Sequence, residues 1–165
     1  MSSRIEAHTE GVDQTRSLAA ALGELVRPGD LIVLVGGLGA GKTAFVQGLG
    51  AGLGVQGNIT SPTFALVQSY SGRLDLHHLD VYRLNQVNEA LDLGLAEILD
   101  DDAVVVIEWG DTIAPVLPHD YLEVRLDNGA SPDSRSIGFS PIGSRWSARM
   151  NALATVIERT SGGGA

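Results

Sequence analysis

The sequence predicts an α/β fold built as one domain, and three observations carry that expectation. Asp30-Leu31-Ile32-Val33-Leu34-Val35 reads as a short buried strand that passes through a glycine-rich loop into a helix from Thr43 to Leu53. Ala103-Val104-Val105-Val106-Ile107 is a second unbroken apolar run of strand length, the pattern of a strand covered on both faces. Two alternating stretches folded about turns, Phe64 to Tyr82 and Tyr121 to Phe139, read as hairpins and add antiparallel strands. At 165 residues the chain suits one domain with one sizeable core; the domain is expected over 1–160, with 161–165 a disordered Gly-rich tail.

Taken in order, Ile5 to His8 reads as a short opening strand. From about Asp13, the residues Leu18, Leu22, Leu25 and Val26 recur at helical spacing until Pro28-Gly29 stops them. In the helix after the loop, Phe45, Val46, Leu49 and Leu53 form an apolar stripe that Gly48, Gly50 and Gly52 interrupt. Each such glycine costs about 1 kcal/mol relative to alanine, so the C-terminal half of this helix is expected to be weak on its own. The first hairpin runs Phe64 to Tyr70 and Leu74 to Tyr82 around Ser71-Gly72. Strand alternation puts His78, Asp80 and Tyr82 on one face and His77 and Leu79 on the other. Asn85 to Leu99 is helical in pattern, with Leu91, Leu95 and Ile98 on one face and Gly94 as a break. Asp100-Asp101-Asp102 is a solvated acidic turn ahead of the second buried strand. Tyr121 to Leu126 alternates, Asp127 to Ser134 is a loop, and Arg135 to Phe139 closes the second hairpin. Trp146, Met150, Leu153 and Ile157 mark an amphipathic C-terminal helix.

Composition bounds the function. A hydrophobic fraction of 44% and a charged fraction of 19% are those of an ordinary globular protein. The longest apolar runs are far short of a membrane span, and Met1-Ser2-Ser3-Arg4 is followed by no apolar signal core, so no membrane is expected and the location is cytoplasmic. Without cysteine, disulfides and thiolate metal sites are excluded. The formal net charge of −9 argues against a broad phosphate-tracking surface. Any service to nucleic-acid chemistry is then expected to run through a protein partner; the alternative is an ordinary acidic enzyme, and composition does not separate the two.

Gly36-Gly37-Leu38-Gly39-Ala40-Gly41-Lys42-Thr43 fits G-x-x-x-x-G-K-[ST], the phosphate-binding P-loop, in the strand-to-helix setting that motif requires. Gly36 and Gly41 can take positive φ without a Cβ clash, which lets successive N–H groups converge on one point. The helix N-terminus adds unsatisfied donors and about half a positive charge. Lys42 would neutralise the terminal phosphates and the Thr43 hydroxyl would hold Mg²⁺; Ala44 completes the binding stretch. Lys42 is the only lysine in the chain.

A P-loop needs a carboxylate at the end of a buried strand, and Glu108 after Val104 to Ile107 is the candidate. Asp80, between Leu79 and Val81, is either satisfied by a neighbour such as Arg83 or employed near the nucleotide to orient the attacking water. Thr63 resembles the threonine of a switch segment that senses a γ-phosphate. Trp109 is either core filler or a neighbour of the nucleotide, and its place beside Glu108 favours the second. His77 and His78 point to opposite faces and do not make a zinc site; His78 is read as a hydrogen-bonding neighbour of Asp80. There is no G-x-S-x-G elbow, no H-R-D set and no N-K-x-D guanine-reading motif, which leaves adenine as the base.

The ordered set Gly36–Thr43, Ser61-Pro62-Thr63-Phe64, His78-Leu79-Asp80-Val81-Tyr82-Arg83-Leu84 and Glu108-Trp109 resembles the TsaE (YjeE) family, bacterial ATPases of tRNA threonylcarbamoyladenosine biosynthesis. The resemblance covers roughly Thr9 to Leu126 and implies a P-loop NTPase-like core with a mixed sheet carrying antiparallel strands. It also implies ATP and Mg²⁺ binding, slow hydrolysis, and association with TsaB and TsaD, so that tRNA is met only indirectly. Carried onto this chain, it implies that Lys42 and Thr43 bind phosphate and Mg²⁺. It further implies that Glu108 and Asp80 serve metal and water, that Thr63 belongs to the switch-like segment, and that Trp109 lies on the nucleotide side. Two rival classes stay open: a small-molecule P-loop kinase, which calls for an arginine-bearing lid, and a nucleotide-gated binding module with negligible hydrolysis.

Overall fold

Leu31–Val35 are all buried, as a strand flanked by partners and covered on both faces must be. This strand is the centre of a computed structural model that describes residues 4–37, 40–60, 67–80, 94–100, 102–108 and 117–162. In chain order the elements are β1 (Ile5–Thr9), α1 (Val12–Gly23), β2 (Leu31–Val35), α2 (Lys42–Gly52), β3 (Val67–Tyr70) and β4 (Leu76–Asp80). They continue as α3 (Leu95–Asp100), β5 (Val104–Glu108), β6 (Tyr121–Asn128), β7 (Arg135–Ile142), α4 (Ser144–Ser147) and α5 (Met150–Gly162).

Among the described residues the strands make one 7-stranded mixed sheet in the order β1-β7-β6-β2-β5-β4-β3. β2 pairs in parallel with both β5 and β6, and β4 pairs in parallel with β5. The outer pairings, β3 with β4, β6 with β7 and β1 with β7, are antiparallel. The four central strands therefore end at one edge, which is where β2 enters the glycine loop and where Asp80 and Glu108 terminate β4 and β5.

Strand alternation splits the core in two. Ile32, Leu34, Leu76, Val104 and Val106 pack with Leu18 and Leu22 of α1, Phe45 and Leu49 of α2, and Leu153 and Ile157 of α5. Leu31, Val33, Val35, Leu79, Val105 and Ile107 face the other way, with Ile98 and Leu99 of α3 and Leu117 against them. The sheet is thus flanked by helices in a single α/β domain.

The glycines of α2 have a different meaning from the one their helix propensity suggests. A Cβ on Gly48 would overlap the Arg16 carbonyl, and one on Gly52 would overlap the Ala20 carbonyl, both on α1. From the other helix, a Cβ on Gly23 would lie 2.8 Å from the Leu49 oxygen. On its outer side Gly50 leaves the space that the Ile59 side chain fills. α1 and α2 touch backbone to backbone, and that contact offsets the intrinsic cost of glycine in a helix.

Three boundaries differ from the sequence pattern. α1 stops at Gly23, ahead of Pro28, and Leu25 and Val26 follow outside the helix. β6 and β7 extend beyond Leu126 and Phe139, because their pairing continues to Asn128↔Arg135 at one end and Tyr121↔Ile142 at the other. The C-terminal helix is two pieces, α4 and α5. At the break, Arg149 makes a bidentate ion pair with buried Asp30, at 2.7 Å to each oxygen, and stacks over Trp146 at 3.9 Å. That pair clamps the C-terminal region onto the residue just before β2. α5 runs to Gly162, and the remainder of the Gly-rich tail lies outside the described residues. No helix among the described residues is long and apolar enough to cross a membrane.

Candidate functional site

The glycine loop leaves β2 at Gly36 and re-enters regular structure at Gly41, the N-cap of α2. The two glycines are required for different reasons. Gly41 has φ +102°, a left-handed backbone that a side chain would strain. A Cβ on Gly36 would sit 2.6 Å from the Leu126 carbonyl of β6, so the obstacle there is the neighbouring strand. α2 starts without a side-chain cap and without an acid in its first turn, which leaves the N-terminal end of the helix electropositive.

Lys42 is buried, 5% exposed, and its Nζ donates to the carbonyls of Gly36 and Gly37 at 2.8 Å each. The ammonium therefore lies inside the loop. Thr43 and Ala44 are half-buried in the first turn of α2. Leu38 and Gly39, the loop's middle residues, lie outside the described residues, and so do Thr63 and Trp109.

Asp80 and Glu108 come together. They are direct partners in the parallel β4–β5 register, and Leu34 of β2 is the partner of Glu108 on its other side. Alternation aims both carboxylates to the face that carries α2, the same side as Leu34 and Val106. Asp80 is half-buried and Glu108 is 3% exposed.

His78 is not the neighbour of Asp80 that the sequence suggests. Its Nε2 bonds Glu108 Oε2 at 2.5 Å, with the ring fully buried. The register partner of His78 is Val106, and Glu108 stands two residues further along β5 on the same face; its long side chain reaches back diagonally to the ring. His77, on the opposite face, bonds Ser69. Among the described residues no group of three or more His, Cys, Asp or Glu is gathered as a metal cage.

Arg135, at the start of β7, is a contributor the sequence pattern gave no reason to single out. Its Nε donates to the Ala40 carbonyl at 3.0 Å, and its NH1 donates to the carbonyls of Pro132 and Ser134 at 2.7 Å each. Together with Val12, Thr15, Gly41, Ala44 and Asp133 it lines a small cavity of about 80 Å³ beside the first turn of α2. The guanidinium thus grips the loop from the side opposite Glu108. Ninety-five positions separate Arg135 from Ala40, and no local pattern reports such a contact.

The family model for the threonylcarbamoyl adenosine biosynthesis protein TsaE matches residues 9–137. The tRNA threonylcarbamoyladenosine biosynthesis protein TsaE of Treponema pallidum is 43% identical over 118 residues, covering 72% of this chain and 87% of its own. The protein of the same name from Bacillus subtilis is 36% identical over 144 residues, covering 87% of this chain and 89% of its own. The crystal structure of Bacillus subtilis YdiB superimposes with a TM-score of 0.77 at 30% identity, over 100% of this chain and 99% of that one. With the glycine loop, the paired acids and this similarity along most of its length, the chain belongs to the TsaE family.

Proposed function

We propose that this chain is a P-loop ATPase that binds ATP with Mg²⁺, hydrolyses it slowly, and supports tRNA threonylcarbamoyladenosine modification through a TsaB–TsaD-type complex in the cytoplasm. The observation that carries this reading is the pairing of Asp80 with Glu108 at the edge of the sheet where β2 delivers Lys42 and Thr43. The donor set suits Mg²⁺. That ion takes one or two protein ligands and keeps water and phosphate oxygens for the rest, so a three-residue cage is not required.

In this reading Lys42 moves its donors from the Gly36 and Gly37 carbonyls to phosphate oxygens, and the N–H groups of Lys42, Thr43 and Ala44 at the start of α2 cradle the same anion. The Thr43 hydroxyl and Glu108 would hold Mg²⁺, which when bound neutralises charge on the β- and γ-oxygens. Asp80 orients the attacking water and accepts its proton. Thr63 and Trp109, outside the described residues, are assigned by the family resemblance alone to γ-phosphate sensing and to the nucleotide side. Slow turnover follows if the arginine that stabilises the transferring phosphoryl group comes from a partner; such a residue is worth about 10³–10⁵-fold. The net charge of −9 makes a protein the fitting activator, with tRNA reached through it.

The test joins calorimetry with phosphate release. ATP·Mg²⁺ binds the native chain, and Lys42→Ala loses that binding, since no second lysine exists to replace it. Phosphate release is slow for the chain alone and rises on titration with the TsaB–TsaD-type pair, even without tRNA. Native affinity in Lys42→Ala would overturn the assignment of the loop. A flat titration, with complex formation verified separately, would remove the partner from the site.

A further inference from the structure

His78 is a polar ring in an apolar place. It is fully buried on a strand face shared with Leu76 and flanked by Val104 and Val106 of β5. Phenylalanine would fill such a site without the cost of burying a polar group. Among the described residues, the only hydrogen bond of the imidazole goes to Glu108 Oε2, and its Nδ1 has no partner. A carboxylate oxygen accepts, so Nε2–H is the donor in this bond. The histidine is therefore committed to one oxygen of one carboxylate, and that carboxylate ends β5 at the glycine loop.

From this we infer that His78 is a positioning residue for Glu108: its Nε2–H holds Oε2, fixes the plane of the carboxylate, and leaves cation binding to Oε1. The inference rests on the reading of Glu108 as a Mg²⁺ ligand. A glutamate side chain has three rotatable bonds and reaches one methylene further than aspartate. Without a second anchor it would lose entropy each time it met the ion. Hydrogen-bonding partners of metal ligands commonly set affinity by about 10–100-fold when removed.

The experiment measures ADP affinity by calorimetry, first in excess chelator and then with saturating Mg²⁺. The ratio of the two affinities is the metal-dependent gain. His78→Phe keeps the ring volume and removes the donor; its affinity in chelator matches the native chain, while the metal-dependent gain falls by about tenfold or more. His78→Gln, whose amide nitrogen can reach the place of Nε2, retains most of the gain. In a Glu108→Gln background, His78→Phe has no further effect. Should His78→Phe fail to fold, His78→Asn takes its place, because its shorter amide cannot reach Glu108. A folded His78→Phe or His78→Asn with the full native gain would overturn the inference alone. A native chain whose ADP affinity is indifferent to Mg²⁺ would instead overturn the metal reading of Glu108, and the inference with it.

Discussion

On one side of β2 the sheet continues through β5 and β4, and on the other through β6 and β7; the glycine loop is held between two unlike walls. The β5–β4 wall presents side-chain chemistry: Glu108, its register partner Asp80, and His78 bonded behind Glu108. The β6–β7 wall presents shape: the Leu126 carbonyl excludes any side chain at Gly36, and Arg135 grips the Ala40 carbonyl. The parallel strands end together, so their last residues converge at one edge, the usual position for ligands in open α/β sheets. The antiparallel β6–β7 hairpin instead returns the chain past the loop. The difference separates two jobs. Acids on one wall would act on metal and water, while the other wall fixes the loop backbone that in the proposed function would receive phosphate.

The sharpest division between the walls comes from removing a carboxylate. Glu108→Ala and Asp80→Ala are each expected to lower the hydrolysis rate by about 10²-fold or more. Nucleotide binding in chelator should stay near native, since the cradle is backbone and Lys42. Single-turnover phosphate release measured beside calorimetric affinity checks this. If either variant hydrolyses at the native rate, that carboxylate does not belong to the chemistry.

A smaller effect, and of the opposite kind, is expected at Gly36. Alanine there drives a Cβ to within 2.6 Å of the Leu126 carbonyl, and neither backbone can yield without disturbing the β2–β6 pairing. Such overpacking costs about 1–3 kcal/mol of stability, readable as a lower urea midpoint at unchanged slope. Nucleotide affinity should fall as well. Unchanged stability would mean that the β6 wall does not constrain the loop.

The asymmetry between the walls also explains what could be read in advance. The loop, β2 and β5 were legible because each is a contiguous signal: a spaced motif or an unbroken apolar run. Glu108 was legible as a strand-terminal acid and Asp80 as an acid between apolar strand residues, although their register was not. Side-chain partners across strands were not legible. His78 shares a face with Asp80 along the chain, but its bond goes diagonally to Glu108 on the next strand. The same limit applies to Arg135, whose contact with Ala40 depends on how a distant hairpin is seated. The α2 glycines show it most plainly. Propensity assigns each a cost, and only the position of α1 reveals that a side chain at Gly48 or Gly52 would collide with backbone. Thr63 and Trp109, named from the motif, lie outside the described residues.

The mildest prediction concerns Arg135, where the two walls should be easiest to tell apart. Its Nε bond to Ala40 is one hydrogen bond on a part-buried carbonyl, while its NH1 is engaged by Pro132 and Ser134 in the turn ahead of β7. Removing the guanidinium frees the carbonyl of a residue that is itself 4% exposed, and the loop must then be ordered by the ligand. A net hydrogen bond is worth about 1 kcal/mol, which is roughly a fivefold loss of nucleotide affinity. Arg135→Ala should therefore weaken ATP binding about fivefold while the rate of hydrolysis at saturation stays native, the inverse of the carboxylate variants. Arg135→Lys should recover little, since an ammonium lacks the planar fork that spans Ala40, Pro132 and Ser134 at once. Titrating phosphate release against ATP concentration separates the two quantities in one experiment. A fall in the saturated rate would mean that the β6–β7 wall takes part in the chemistry, and the division of labour between the walls would fail.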